Sequence, residues 1–140
     1  MADARPPLVA ELVWSGDLHF DATSGTNRLV VDGDSQQGAS PTQLAALGLA
    51  GCMGADVVDI LRKGRHPVTA LKVTFTGTRA PEPPRRFLEI TLQFDIQGAV
   101  PAEAVERAIR LSREKYCSVW HSFRQDITLT TPFAISQPND

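Results

Sequence analysis

The 140-residue chain has few of the residues that mark familiar classes of protein. It contains two cysteines and three histidines, and its Lys and Arg residues nearly balance its Asp and Glu residues, for a net charge of −2. A nearly neutral chain lacks the basic surface on which a polyanion binds. Two cysteines are also too few for a disulfide-stapled secreted scaffold. The composition therefore argues against a nucleic-acid partner and against a small secreted disulfide protein.

Common signatures of enzymes and membrane proteins are missing as well. The sequence has no HExxH zinc motif, no glycine-rich phosphate loop and no GxSxG nucleophile motif. Residues 1–7 lack a basic segment followed by an apolar one, and no apolar run approaches the roughly 20 residues that cross a bilayer. We therefore expect a cytoplasmic protein without a membrane partner, folded as a single domain over residues 1–140 with its core at about 8–135.

The first part of the chain predicts three strands and a long helix. Residues 8–14 and 18–22 flank a polar turn and predict a hairpin, and residues 28–32 predict a third strand. Ser40 is the expected N-cap of the helix and Pro41 its first residue. Residues 44–61 are apolar nearly all round, which is typical of a buried helix, and Gly64 can close it.

The second part alternates between strand and helix patterns. Residues 70–78 and 88–96 each alternate apolar with polar side chains and predict an antiparallel hairpin. Residues 101–117 predict a second helix that reaches Cys117, and residues 118–124 predict another helical turn or two. Residues 127–133 predict a final strand, which Pro132 confines to a sheet edge or a strand end. The pattern as a whole predicts an α+β fold.

The two cysteines are the main chemical candidates, although each also has an inert interpretation. Cys52 lies deep inside its helix, so the dipole at the helix N-terminus cannot activate it, and no cation lies within one helical turn in the sequence. Gly48, Gly51 and Gly54 surround it with a surface poor in side chains, which favours close packing of a second helix across a dimer axis or leaves a small cavity. Free cysteine is also a common core residue.

Cys117 follows a basic stretch and precedes His121 by four residues. If Ser118 starts a new helix, its positive N-terminal end favours a Cys117 thiolate; the alternative is a small buried residue. His121 is more simply a polar partner at a helix surface than a functional group. A metal site formed by Cys52, Cys117 and His121 is a weak alternative, because these residues match no ligand motif.

Two segments of the sequence resemble the OsmC/Ohr family. Residues 40–52, SPTQLAALGLAGC, followed by ADVVDIL at residues 55–61, resemble the signature helix of that family. Residues 114–119, EKYCSV, resemble the segment that holds its second cysteine. The two segments occur in the family's order, and their cysteines are 65 residues apart (117 − 52). The predicted strands and helices follow the family's order over nearly the whole chain.

This resemblance implies a fold, an assembly and a reaction. The implied fold is α+β, with curved antiparallel sheets around two long central helices in an intertwined homodimer whose sites lie at the subunit interface. In peroxidatic members, the cysteine that Cys52 matches attacks an organic hydroperoxide or hydrogen peroxide and becomes a sulfenic acid. The cysteine that Cys117 matches then condenses with it to a disulfide, which a thiol or dithiol reductant reopens. The implied enzyme is a peroxiredoxin-type hydroperoxide reductase that needs no metal and no bound cofactor.

The sequence departs from the peroxidatic pattern at two positions. Such members carry an Arg on the first hairpin turn and a Glu at the start of the cysteine helix, and this ion pair keeps the sulfur ionised. Here the turn reads Ser15-Gly16-Asp17 and the helix starts Thr42-Gln43. Arg28, Arg79, Arg85 and Arg86 are other cations, but no motif gives them that role. The alternatives are thus a non-catalytic OsmC-like dimer that binds a small apolar ligand or a protein partner, and a structural dimer whose cysteines merely pack.

Overall fold

The computed structural model describes residues 4–137, which divide into two compact units, residues up to Ala45 and residues from Ala46 onward. In the first unit, strands β1 (Glu11–Gly16), β2 (His19–Ser24) and β3 (Asn27–Asp32) form an antiparallel sheet in the order β1-β2-β3. This confirms the predicted hairpin and third strand, although the turn is tighter and uses Asp17, whose backbone φ is +44°.

A buried carboxylate organises the loop that follows β3. The Asp32 side chain accepts hydrogen bonds from the backbone N–H groups of Asp34, Gln36 and Gln37, at 2.9, 3.1 and 2.8 Å. These bonds, led by the one from Gln37, lower the pKa of Asp32. The sequence showed a polar loop here, but the role of Asp32 in closing it was not predicted.

Helix α1 (Pro41–Lys63) begins in the first unit and continues into the second. The Ser40 hydroxyl accepts from the Gln43 N–H at 3.1 Å, and the Gln43 side chain accepts from the Ser40 N–H at 2.9 Å. This reciprocal pair is a capping box, so the predicted helix start is confirmed. The end of the helix is also as predicted, with the N–H of Gly64 bonded to the carbonyl of Ile60.

One expectation about this helix is wrong. By length and composition, α1 is long and apolar enough to cross a membrane, although no run of that kind was expected from the sequence. The reason is that glycines interrupt the apolar run but are nearly neutral on hydropathy scales, so the leucines, valines and alanines around them set the mean hydropathy of the helix. Core helices of soluble proteins pass the same test, and one face of α1 lies in the core, through residues that include Leu49, Met53, Val57 and Leu61.

The second unit contains a sheet built around one central strand. Strands β4 (Val68–Arg79) and β5 (Phe87–Gly98) pair antiparallel, as predicted. On the other side of β5, β6 (Thr128–Thr130) and β7 (Phe133–Ser136) both pair with it in parallel. The prediction of one strand over residues 127–133 is therefore wrong. Pro132 lies between β6 and β7, where its carbonyl accepts from the N–H of Phe94 at 2.9 Å, and its missing N–H interrupts the pairing with β5.

The helix predicted over residues 101–117 is two short segments rather than one, and the further helical turn predicted at residues 118–124 is confirmed. Helix α2 (Ala102–Leu111) is followed by a π-helical turn (Ser112–Tyr116), here called the π-turn, and then by helix α3 (Ser118–Ser122). The N–H of Cys117 reaches back five residues to the carbonyl of Ser112, at 2.8 Å, which widens the turn and ends the helix. The described residues thus contain one long helix, the 23-residue α1, whereas α2 has 10 residues, and two long central helices in an intertwined homodimer stay a prediction.

Candidate functional site

The two cysteines lie together in the second unit. Cys52 is a partly buried residue of α1, and Cys117 is fully buried between the π-turn and α3. Both are free thiols, and they are close enough for the Cys52 side chain to raise the pKa of the Cys117 thiol. Cys52 Sγ also lies 3.9 Å from Ser118 Oγ. The fold therefore brings together two sulfur atoms that are 65 residues apart in the sequence (117 − 52).

Burial dominates the chemistry of Cys117. Loss of contact with water raises the pKa of this thiol to about 12, and the Cys52 side chain and the Asp56 charge act in the same direction. Cys117 is the N-cap of α3, and its sulfur accepts from the Trp120 N–H at 3.4 Å, which opposes the rise. The new helix at Ser118 is thus confirmed, but the expected stabilisation of a Cys117 thiolate is wrong, because burial outweighs the field of a five-residue helix.

A polar pair that was not predicted from the sequence lies beside the thiols. Ser112 is fully buried, and its hydroxyl donates to Oδ2 of Asp56 at 2.8 Å. Asp56 follows Cys52 by four residues, so both side chains project from the same face of α1. A carboxylate inside an apolar helical run, one turn after a cysteine, was the available signal in the sequence. The candidate site therefore contains Cys52, Cys117 and Ser118, and the Asp56–Ser112 pair lies next to it without a hydrogen bond to either sulfur.

Arg79 and Arg86, two of the cations that could stabilise a thiolate, bind other groups in the second unit. Arg79 donates through Nε to the Arg85 carbonyl at 2.8 Å, and Arg86 donates to the Phe87 carbonyl and lies 3.7 Å from Asp126. Within residues 46–137, no hydrogen bond joins a guanidinium, ammonium or imidazole group to either sulfur. The site in this unit consequently holds a carboxylate near the thiols and no bonded cation.

His121 takes the position of a surface partner. It is exposed, and its Nε2 donates to the Arg113 carbonyl at 2.9 Å, so the ring is engaged away from the sulfur atoms. In the part of the chain that the structure describes, no group of three or more His, Cys, Asp or Glu side chains is placed to hold a metal ion. The alternative of a Cys52, Cys117 and His121 metal site gains no support from this arrangement.

A groove of about 900 Å³ runs along the small-residue face of α1 and the neighbouring strand β4. Its lining includes Gly51, Gly54 and Ala55 from the helix and Val73 from the strand. A Cβ at Gly54 would lie 3.2 Å from a Val73 methyl group, so this glycine permits close packing of α1 on β4. At Gly48 and Gly51, an added Cβ would meet nothing within 4 Å. Close packing within the chain thus explains one of the three glycines.

Comparison with known proteins agrees with this fold. The sequence profile of the family described as "OsmC-like protein" matches residues 33–131. Protein YhfA of Escherichia coli strain K12 is 36% identical over 130 residues, which cover 90% of this chain and 96% of YhfA. The crystal structure of a hypothetical protein from Aquifex aeolicus VF5 is 27% identical, with a TM-score of 0.88 over 95% of this chain and 98% of that one.

An organic hydroperoxide resistance protein from Elizabethkingia anophelis shares the fold at 17% identity, with a TM-score of 0.67 over 96% of this chain and all of that one. The profile match covers most of the chain, and it includes both cysteines and the segments around them. The chain belongs to the OsmC-like protein family.

Proposed function

We propose that this protein is a thiol-dependent peroxidase that reduces organic hydroperoxides or hydrogen peroxide, with Cys52 as the nucleophile and Cys117 as the resolving thiol. The proposal rests on one observation: two free thiols, one partly exposed and one buried, lie close together in one site. Cys52 is the more accessible of the two, whereas Cys117 is fully buried and its raised pKa keeps it protonated. A family relative by fold is named for organic hydroperoxide resistance, which agrees with this chemistry.

The reaction proceeds in three balanced steps. The Cys52 thiolate attacks one peroxide oxygen, the O–O bond breaks, and the leaving alkoxide or hydroxide takes a proton to give an alcohol or water. The Cys117 thiol then displaces hydroxide from the Cys52 sulfenic acid, and its proton leaves with that hydroxide as water. A dithiol reductant opens the resulting disulfide by exchange and is itself oxidised to a disulfide.

We further propose that the site works in a cytoplasmic homodimer. A nucleophilic cysteine needs a nearby positive charge to hold its thiolate, and none is bonded to a sulfur within residues 46–137. In the proposed dimer, a second copy of the chain supplies that charge. Exposed apolar residues of the first unit, among them Leu12, Trp14 and Leu29, support this assembly.

The test is intact mass spectrometry of the reduced protein after one equivalent of cumene hydroperoxide. The wild-type protein should lose two hydrogens as the disulfide forms. Cys117→Ser should instead gain one oxygen, because the sulfenic acid then lacks its resolving thiol while the serine keeps the helix cap. Cys52→Ser should remain unchanged. Oxidation of Cys52→Ser at the wild-type rate would contradict the assignment of the nucleophile.

A second candidate function is the binding of a small apolar molecule by a non-catalytic dimer. The groove along α1 and β4 and the absence of a bonded cation at the thiols in the second unit favour it. Alkylation of both thiols separates the two functions. A peroxidase loses its turnover when alkylated, whereas a binding protein keeps its affinity for an apolar fluorescent probe.

A further inference from the structure

The Asp56–Ser112 pair connects the two segments that carry the thiols. Asp56 belongs to α1, one turn after Cys52, and Ser112 is the first residue of the π-turn that leads to Cys117. Their side chains form a 2.8 Å hydrogen bond across 56 residues of sequence. Because the Ser112 hydroxyl is fully buried, it has no water to replace Asp56 as its acceptor.

Ser112 is also bonded to the backbone of Cys117. Its carbonyl accepts from the Cys117 N–H at 2.8 Å, and the Cys117 sulfur in turn accepts from the Trp120 N–H at 3.4 Å. Ser112 therefore holds α1 through its side chain and Cys117 through its main chain. No buried side-chain nitrogen or oxygen of the described residues lacks a hydrogen-bond partner, so this arrangement is fully satisfied. A rigid connection of this kind fixes the place of the Cys117 thiol relative to Cys52.

We propose that Asp56 and Ser112 are positioning residues for the step in which Cys117 condenses with oxidised Cys52. This inference rests on the proposed function, because it concerns the resolving step of that reaction. The pair touches neither peroxide nor the attacked sulfur. It holds the π-turn against α1, so that the Cys117 sulfur meets the Cys52 sulfenic acid without a search for the right conformation.

Asp56 also acts on Cys117 through its charge, and the two effects are separable. The groups that raise the pKa of Cys117 are burial, Cys52 and Asp56, while the Trp120 N–H lowers it and the His121 ring faces the Arg113 carbonyl. Asp56→Asn keeps an oxygen that accepts from Ser112 but removes the charge. Asp56→Ala removes both. Positioning therefore predicts that the Asn variant resembles the wild-type protein and the Ala variant does not.

The experiment measures two rates in the same reaction after one equivalent of cumene hydroperoxide: the consumption of peroxide and the appearance of the disulfide by quenched-flow mass spectrometry. In Asp56→Ala and Ser112→Ala, we expect disulfide formation to slow about tenfold, the effect of losing one buried hydrogen bond, with peroxide consumption within about twofold of wild type. Asp56→Asn should keep the rate of disulfide formation within about threefold of wild type. Because the Asp56 charge raises the pKa of Cys117, the rise of this rate with pH should begin at a lower pH in the Asn variant than in the wild-type protein. The matched control is Asp59→Ala, an exposed carboxylate on the same helix that pairs with Lys63.

A second arm of the experiment oxidises the two thiols with diamide instead of peroxide. The thiols form the disulfide, and diamide is reduced to the corresponding hydrazine. If the wild-type protein consumes no peroxide but the Ala variants form the diamide disulfide more slowly than wild type, the peroxidase proposal fails and the positioning role stands. If Asp56→Ala and Ser112→Ala form disulfide as fast as wild type in both arms, the positioning role is overturned. Circular dichroism checks folding, and Ser112→Ala, which removes one hydroxyl, decides the matter if Asp56→Ala does not fold.

Discussion

At the scale of single residues, burial controls the chemistry of the candidate site. Cys117 lies at a helix N-terminus, where a partial positive charge favours a thiolate, and yet its pKa is raised to about 12. The dipole of a five-residue helix is weak, while removal of water disfavours the charged sulfur strongly. A sequence shows that a helix follows a cysteine, but not that the cysteine is fully enclosed.

The raised pKa of Cys117 predicts a loss of stability in alkaline solution. Well below pH 9, the thiol is protonated in both the folded and the unfolded chain, so it does not contribute to the pH dependence of stability. Between about pH 9 and pH 12, the unfolded chain releases the proton while the folded chain retains it, so the free energy of unfolding falls as pH rises.

Cys117→Ser removes this contribution, since serine does not ionise in that range. Urea unfolding under reducing conditions at several pH values from 8 to 11 measures the effect. We expect the wild-type protein to lose more stability than the variant across this range, by on the order of 1 kcal/mol or more. Parallel pH profiles for the two proteins would show that burial does not hold the Cys117 proton.

Asp56 and Ser112 illustrate what sequence patterns leave out at this scale. A carboxylate within an apolar helix predicts a polar partner somewhere in the fold, because an unpaired charge is costly to bury. The partner, Ser112, is 56 residues away in the sequence. It lies in a π-turn, and no local sequence pattern predicted the hydrogen bond from the Cys117 N–H to the carbonyl five residues earlier. The cysteines were identified from their surrounding segments, whereas the pair that connects those segments required the structure.

At the scale of helices and strands, local signals predicted most of the fold. Strict alternation predicted β4 and β5, and the Ser40-Pro41 pair predicted the start of α1. The failures came where tertiary contacts decide the outcome. Residues 127–133 alternate as one strand would, but Pro132 separates β6 from β7 because it has no N–H for the ladder. Likewise, α2 had the pattern of a longer helix, and the π-turn ended it.

The capping box at the start of α1 gives a prediction for this element. Ser40→Ala removes the acceptor for the Gln43 N–H and should lower the free energy of unfolding by about 1 kcal/mol. Ser40→Asp keeps a side-chain oxygen at the N-cap and adds a charge that the helix N-terminus favours, so it should restore most of the loss. Urea unfolding of the three proteins measures both effects. Equal stability of the Ala and Asp variants would contradict a capping role for Ser40.

At the scale of the whole molecule, the first unit has an apolar surface that this single chain leaves open. Leu12, Ala22 and Leu29 occupy matching positions on the three strands and line a groove of about 390 Å³. Val13 and Trp14 are each 65% exposed. An apolar patch of this kind on a three-stranded sheet is typical of a surface that another chain covers. On α1, Gly48 and Gly51 are likewise uncovered, since a Cβ at either position would meet nothing within 4 Å.

We expect a second copy of the chain to cover this surface. Lysines introduced into the apolar row formed by Leu12, Ala22 and Leu29 test this expectation. The double variant Leu12→Lys and Leu29→Lys should convert a species of about twice 15.2 kDa into one of 15.2 kDa in multi-angle light scattering. The matched control is Asp21→Lys, which places a lysine at an exposed position on the other face of the same sheet. Since the proposed dimer brings the positive charge that the Cys52 thiolate needs, the double variant should also consume cumene hydroperoxide at least about tenfold more slowly. A monomeric double variant with the wild-type peroxide rate would show that one chain activates its own thiol, and a wild-type protein that is already monomeric would remove the second copy from the mechanism.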